Sequence, residues 1–132
     1  MPDRFETKTL PAMADAIAPD GSEVRILLRL EQGSMAHFEL GPRQVSAPVA
    51  HKTIGEIWYF LSGRGQMWRK LGDHEEIVDV VRGVSISIPV GTHFQFRSVS
   101  DQPLCAIGQT MPPWPGEDEC YPVSGIWEPS LE

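Results

Sequence analysis

Two residues near the middle of the chain, His51 and Glu56, have side chains that can bind a metal ion or transfer a proton. They are five positions apart, a spacing that places them on opposite faces of a continuous strand. They share a face only if the chain turns between them, and residues 52–55 can supply that turn. Alternation from Glu56 then places Trp58 and Phe60 on its face. A carboxylate among aromatic rings is costly to bury unless a metal, a cation or a hydrogen-bond donor accompanies it.

Composition and charge limit the class of protein. The chain has 132 residues, enough for one domain, and its 12 glycines and 12 prolines favour many turns over long helices. The net charge is −7, and residues 98–132 contain six acidic and no basic side chains, so a nucleic-acid partner is not expected. No apolar segment is long enough to span a membrane and no export signal is recognisable, which predicts a cytoplasmic protein with no membrane partner. Cys105 and Cys120 are therefore expected to be reduced thiols.

Short segments of alternating apolar and polar residues, separated by Gly, Pro and Asp, follow one another along the chain. Such a series without intervening helices predicts an antiparallel all-β barrel or sandwich. The predicted strands are 24–30, 34–40, 45–51, 56–61, 66–69, 77–81, 84–88, 93–97 and 104–110.

Three regions are predicted. Residues 1–23 form an N-terminal arm or a short helix, with an Ala-rich stretch too short for more than two turns. Residues 24–110 form the barrel. Residues 111–132 form an acidic tail rich in Pro and Trp, and Trp114 and Trp127 are expected to anchor it on the barrel.

Two spaced motifs in this region resemble those of the cupin superfamily. The first is His51-x4-Glu56-x6-Gly63, and the second is Gly83-x5-Pro89-x-Gly91. The two motifs are separated by the 19 residues between Gly63 and Gly83, and this spacing resembles that of a small single-domain bacterial cupin of the conserved-barrel type. The resemblance implies an antiparallel jelly-roll barrel (a double-stranded β-helix), a homodimer, and a divalent metal held by three histidines and one glutamate.

Carried over residue by residue, this ligand set is incomplete. His51 and Glu56 occupy two of the ligand positions, but Val49 and Phe94 stand where the other two histidines are expected, and Ser98 stands in place of the closing asparagine. The metal site is therefore expected to be reduced or rearranged, because a stable protein site usually has at least three ligands.

His93 and His37 are the candidates for a third ligand. If one residue has been lost from the turn at Gly91, His93 realigns with a ligand position. If the strand instead keeps its register with the flanking turns, His93 faces outward and Phe94 and Phe96 face the cavity. His37 lies on a neighbouring strand, where it either reaches the interior or faces solvent.

Three functions are compatible with these residues. The preferred hypothesis is a protein that binds a small organic ligand in an aromatic-lined cavity, with an incomplete metal site. The alternative is a metal-dependent isomerase, dioxygenase or lyase in which His51 and Glu56 hold Fe, Mn, Ni or Zn. A third possibility is metal-free acid–base catalysis by the same pair. The predicted cavity residues are His51, Glu56, Trp58, Phe60, Phe94 and Phe96, and no catalytic residue is assigned.

Overall fold

The computed structural model describes residues 5–130, apart from the side chain of Glu117. The first four residues of the predicted arm and the last two of the predicted tail lie outside this range. The strands are β1 (Ala16–Ile17), β2 (Glu23–Leu30), β3 (Gly33–Leu40), β4 (Val49–His51), β5 (Gly55–Ser62), β6 (Arg64–Leu71), β7 (His74–Val81), β8 (Ser85–Ile88), β9 (His93–Ser98), β10 (Leu104–Met111) and β11 (Cys120–Pro122). One turn of 3-10 helix, Glu117–Glu119, precedes β11.

The strands form two antiparallel sheets. One has the order β1-β2-β3-β10-β5-β8 and the other the order β11-β4-β9-β6-β7. The prediction of an antiparallel jelly roll is confirmed. The predicted strand 45–51 is shorter than expected: Val45 makes only an isolated bridge to Arg97, and the regular strand begins at Val49.

Aromatic side chains fill the space between the sheets. Glu56, Trp58 and Phe60 alternate inward on β5, whereas Ile57 and Tyr59 face outward and are about half exposed. The Trp58 ring stacks on Phe38 at a centroid distance of 4.8 Å. A glycine between these rings permits this stacking, because a Cβ at Gly108 would overlap the Phe38 ring and crowd the Trp58 indole. The core is therefore built around one tryptophan.

The described part of the N-terminal arm contains no helix. Ala16–Ile17 pairs with Val24 and Glu23 of β2, and the Asp15 carboxylate accepts a hydrogen bond from the Ile26 N–H. Residues 12–18 therefore form bends and the short strand β1. Pairing with the edge of β2 provides the backbone with hydrogen bonds that two isolated helical turns could not match.

The C-terminal segment runs along the second sheet. Pro122, Tyr121 and Cys120 pair with β4. Farther on, the Gln95 side chain, which is fully buried, donates to the Trp127 carbonyl and accepts from the N–H groups of Ile126 and Trp127. The Arg97 guanidinium lies 4.3 Å from the centroid of the Trp127 ring. These contacts lay the tail on the outer side of β9.

The outward face of β3, β10 and β5 has several half-exposed apolar side chains. Met35, Ile57, Tyr59 and Leu61 are each between 37% and 49% exposed there. The predicted homodimer stays a prediction. Within residues 5–130, no helix has the length and apolar character needed to cross a membrane.

Candidate functional site

His51 and Glu56 meet at one end of the barrel, although they belong to different sheets. His51 ends β4, Glu56 is the second residue of β5, and the chain turns between them. The Glu119 carboxylate fixes this turn by accepting hydrogen bonds from the N–H groups of Thr53 and Ile54 and from the Thr53 hydroxyl. As a result, Nδ1 of His51 lies 3.2 Å from Oε2 of Glu56.

Glu56 is a buried carboxyl group with one hydrogen-bond donor. Its residue is 4% exposed, and Oε1 accepts a hydrogen bond of 2.6 Å from the Trp58 indole. Burial raises the pKa of Glu56 to about 7, because the Trp58 hydrogen bond does not compensate for desolvation and the nearby carboxylates of Asp20 and Glu119 add to the shift. Near neutral pH the group is therefore divided between its protonated and ionised forms.

His51 is a neutral imidazole in the same place. Burial lowers its pKa to about 4, and the opposing attraction of the Glu119 carboxylate is smaller. The rings of Phe94 and Trp114 contact it edge-on at centroid distances of 5.2 and 5.3 Å. The approach of Nδ1 to Glu56 is poorly directed for a hydrogen bond, so within the described part of the chain this buried nitrogen has no hydrogen-bond partner.

The pair forms the floor of a cavity of about 370 Å³. Its walls are mostly apolar and come from the arm, β2, β3, β5, β9 and the start of the tail. Side chains that line it include Ile17, Val24, Ile26, Leu27, Ala36, Phe38, Val49, Trp58, Phe94 and Trp114, together with the polar residues Asp20, Arg29, Ser34 and Thr110. An apolar chamber with a few polar groups is the usual form of a small-molecule site.

Solved structures with this arrangement of sheets have been determined for several proteins. Oxalate decarboxylase of Bacillus subtilis superposes with a TM-score of 0.70 and 15% identity, over 84% of this chain and 30% of the other. CapF, a capsular polysaccharide assembling protein of Staphylococcus aureus, superposes with a TM-score of 0.70 and 16% identity, over 95% and 37% of the two chains. BH2720 of Bacillus halodurans gives 0.64 and 17%, over 78% and 76%.

These three proteins all have the cupin fold. This chain has the cupin fold. It spans 30% of the oxalate decarboxylase chain and 37% of the CapF chain, so it matches only part of each. No family model and no curated protein matches the sequence.

The metal ligand set typical of cupins does not fit the residues present. Val49 and Phe94, which stand at two of the expected histidine positions, are 4% and 2% exposed and pair with each other across β4 and β9. Within residues 5–130, no group of three or more His, Cys, Asp or Glu side chains is placed to hold a metal ion. His51 and Glu56 alone provide fewer ligands than a stable transition-metal site requires.

Neither candidate third ligand joins the pair in this structure. His93 precedes Phe94 on β9 and faces the opposite side of the sheet, where it pairs with Lys70 and Ala50. His37 is 5% exposed, but it alternates with the inward Phe38 and lies on the outer face beside Arg25 and Glu39. Burial, and then the Arg25 charge, lower the pKa of His37.

Four of the six predicted cavity residues line the cavity, namely His51, Glu56, Trp58 and Phe94. Phe60 and Phe96 are not among the residues that line it. They lie behind Trp58, at ring centroid distances of 6.0 and 5.1 Å, where they belong to the core. Strand alternation identifies the inward face but not the depth along the barrel.

Several residues of the site are not indicated by any pattern in the sequence. Glu119 is only 4% exposed, although its acidic neighbourhood is typical of a solvated tail. Trp114 packs on His51, more than 60 residues away in the chain. Arg29, Ser34 and Thr110 reach the cavity from three strands. The one local signal was the isolated pair of tryptophans in the tail, which indicated burial but not where it occurs.

Proposed function

We propose that this cupin binds a small, largely apolar organic molecule in the cavity, with a polar group of the ligand at His51 and Glu56 and no resident metal. The observation that carries the proposal is the buried His51–Glu56 pair at the base of a chamber walled by Phe38, Trp58, Phe94 and Trp114. Buried polar groups with few hydrogen-bond partners cost free energy, and a ligand that supplies a hydrogen bond to the pair recovers part of it.

The electrostatics of the floor favour an uncharged polar group. With a pKa of about 4 for His51 and about 7 for Glu56, the pair is mostly neutral between these two values and gains a negative charge as the pH rises through 7. A hydroxyl group can donate to one of these residues and accept from the other. A carboxylate at this depth would lose its hydration without gaining a cation, and above pH 7 it would also be repelled by Glu56.

Proton transfer is a second candidate function. It is favoured by the contact of 3.2 Å between an imidazole and a carboxyl group whose pKa values are shifted in opposite directions. Such a pair can take a proton from one ligand atom and return it to another, as an isomerisation or a lyase step requires. Turnover in the presence of EDTA that is lost in His51→Gln would support it.

Metal-dependent catalysis is the competing proposal. Manganese centres are described for the oxalate decarboxylase of Bacillus subtilis. In this chain the two ligand positions held by Val49 and Phe94 supply no donor atom, and His37 and His93 face away from the cavity. Any metal would have to bind through His51 and Glu56 with water or substrate at its remaining positions.

A fragment screen by thermal shift tests ligand binding. Small aromatic and alicyclic compounds are tested with EDTA present, against the wild type and two variants. Ala36→Phe places a ring in the cavity, and Ala12→Phe adds the same ring at an exposed position of the arm. We expect compounds that raise the Tm of the wild type and of Ala12→Phe but not of Ala36→Phe. Stabilisation that requires added metal, or that Ala36→Phe retains, would contradict the proposal.

A further inference from the structure

Four polar residues form one row across the inner face of the first sheet. Strand register pairs Arg29 with Ser34, Ser34 with Thr110, and Thr110 with Glu56. Directly paired residues point to the same face of a sheet, and all four line the cavity. The row runs from the second strand of the sheet to the fifth, three inter-strand spacings, or about 14 Å between backbones.

The two central residues of this row already have hydrogen-bond partners. The hydroxyl groups of Ser34 and Thr110 are hydrogen-bonded to each other, and the Ser34 oxygen also accepts from the Trp114 N–H at 3.0 Å. The two ends of the row are therefore the parts available to a ligand. One end is Glu56 with its neighbour His51, and the other is Arg29.

Arg29 is the cationic end. Among the described cavity-lining residues it is the one Lys or Arg, and its side chain makes no hydrogen bond or ion pair with residues 5–130. It lies at the exposed mouth, whereas His51 and Glu56 lie at the buried floor. A guanidinium in this position can bind a carboxylate through two hydrogen bonds.

The acidic groups near the floor set the orientation of a charged ligand. Asp20 is 6% exposed and lines the cavity, and Glu119 lies just behind His51 and Glu56. Hydrogen bonds from Thr53 and Ile54 lower the pKa of Glu119, so its negative charge repels an anionic group from the floor, and Arg29 attracts it to the mouth. A neutral polar group avoids this repulsion and can use His51.

Resting on the proposed function, we propose that the ligand is a hydroxylated carboxylic acid with an apolar, ring-sized body. Its carboxylate binds Arg29 at the mouth, its body contacts Phe38, Trp58 and Trp114, and its hydroxyl group forms a hydrogen bond with the His51–Glu56 pair at the floor. The cavity volume of about 370 Å³ suits one aromatic ring with a short side chain.

Isothermal titration calorimetry with matched probes tests this ligand class. The probes are 3-(4-hydroxyphenyl)propanoate, its uncharged primary amide, and 3-phenylpropanoate, which lacks the hydroxyl group. The variants are Arg29→Gln and, as a matched control, Arg82→Gln, which removes an exposed arginine in the turn between β7 and β8. Equal Tm values establish that both variants are folded.

We expect the wild type to bind the hydroxylated acid about five times more tightly than the amide, as for a charge-assisted contact at an exposed site. Arg29→Gln should abolish this preference without weakening the amide, and Arg82→Gln should retain it. Loss of the hydroxyl group should weaken binding about fivefold as well.

Two results would contradict different parts of the proposal. Equal affinities of acid and amide, or a preference that survives in Arg29→Gln, would overturn the carboxylate assignment while leaving the cavity as a binding site. Absence of binding by all three probes, together with a fragment screen in which Ala36→Phe behaves as the wild type, would overturn the proposed function as well.

Discussion

Glu56 and Glu119 are two buried glutamates at the same end of the barrel, and their surroundings differ in the number of hydrogen-bond donors. The Glu119 carboxylate accepts from two backbone N–H groups and a hydroxyl group, whereas Glu56 accepts from one indole. Burial tends to raise the pKa of both. In Glu119 the hydrogen bonds from Thr53 and Ile54 outweigh it and the pKa is lowered, but in Glu56 the pKa rises to about 7.

This difference separates a structural carboxylate from one available to a ligand. Glu119 has its donors and holds the turn of residues 52–55 in place. Glu56 and His51 are positioned by that turn but are left short of partners. A folded protein seldom leaves buried polar groups short of hydrogen-bond partners, so a pair of this kind beside a cavity is a candidate for contact with a ligand.

Replacing Glu56 with an uncharged isostere should have the largest effect. The pKa of Glu56 is raised from 4.5 to about 7 on folding, so the stability associated with its neutral form is present below pH 4.5 and lost as the pH rises through 7. Glu56→Gln removes this loss. Urea denaturation should show the variant more stable than the wild type by about 3 kcal/mol at pH 8 and equal to it at pH 4. A variant less stable at pH 8 would show that Glu56 is a satisfied carboxylate like Glu119.

Glu119→Gln should act in the opposite direction. An amide cannot accept from all three donors of Thr53 and Ile54, and its NH2 group faces at least one of them. We expect a loss of about 2 kcal/mol in the free energy of unfolding at pH 7. Asp118→Asn, one residue earlier and exposed, is the control and should change stability little. If the two variants behave alike, the turn is held by other contacts.

His51→Gln should change how the stability of the protein depends on pH below 6.5. The pKa of His51 is lowered from 6.5 to about 4, so the wild type loses stability as the pH falls from 6.5 towards 4. The variant lacks this loss, and at pH 5.5 it should exceed the wild type by about 1.5 kcal/mol relative to their difference at pH 8. A difference independent of pH would mean that His51 is not desolvated in the folded protein.

Removal of metal should have the smallest effect. Because His51 and Glu56 are the only two ligands that meet at the floor in the described structure, chelation has little to release. The Tm with EDTA should lie within roughly 1 °C of the Tm without it. A fall of roughly 5 °C that Mn²⁺ or Zn²⁺ restores would identify a resident metal and favour the metal-dependent alternative.

Local patterns predict the barrel well. The alternation in 56–61 places Glu56, Trp58 and Phe60 inside and Ile57 and Tyr59 outside, as observed in β5. The turn glycines follow a simple physical rule: Gly63 has a φ of 85°, and a Cβ there would overlap the Pro103 carbonyl. The strand alternation and the turn glycines depend only on neighbours in the chain or on one adjacent strand. Both can therefore be recognised in the sequence.

Contacts between distant segments are what the sequence does not reveal. Gln95 stands between two inward phenylalanines and has the pattern of an outward polar residue, yet its amide is buried by residues 126–127. Glu119 belongs to an acidic segment but is buried against residues 53–54. In both cases the partner is more than 30 residues away, and nothing local distinguishes the side chain from a solvated one.

The most direct test of ligand binding at a metal-free floor is the NMR resonance of the Trp58 indole N–H, which donates to Glu56. With EDTA present, 3-(4-hydroxyphenyl)propanoate should shift this resonance saturably in the wild type and leave it unchanged in Ala36→Phe, with assignment by Trp58→Phe. A resonance that responds only after Mn²⁺ or Zn²⁺ is added, or that no probe shifts, would contradict a metal-free binding site.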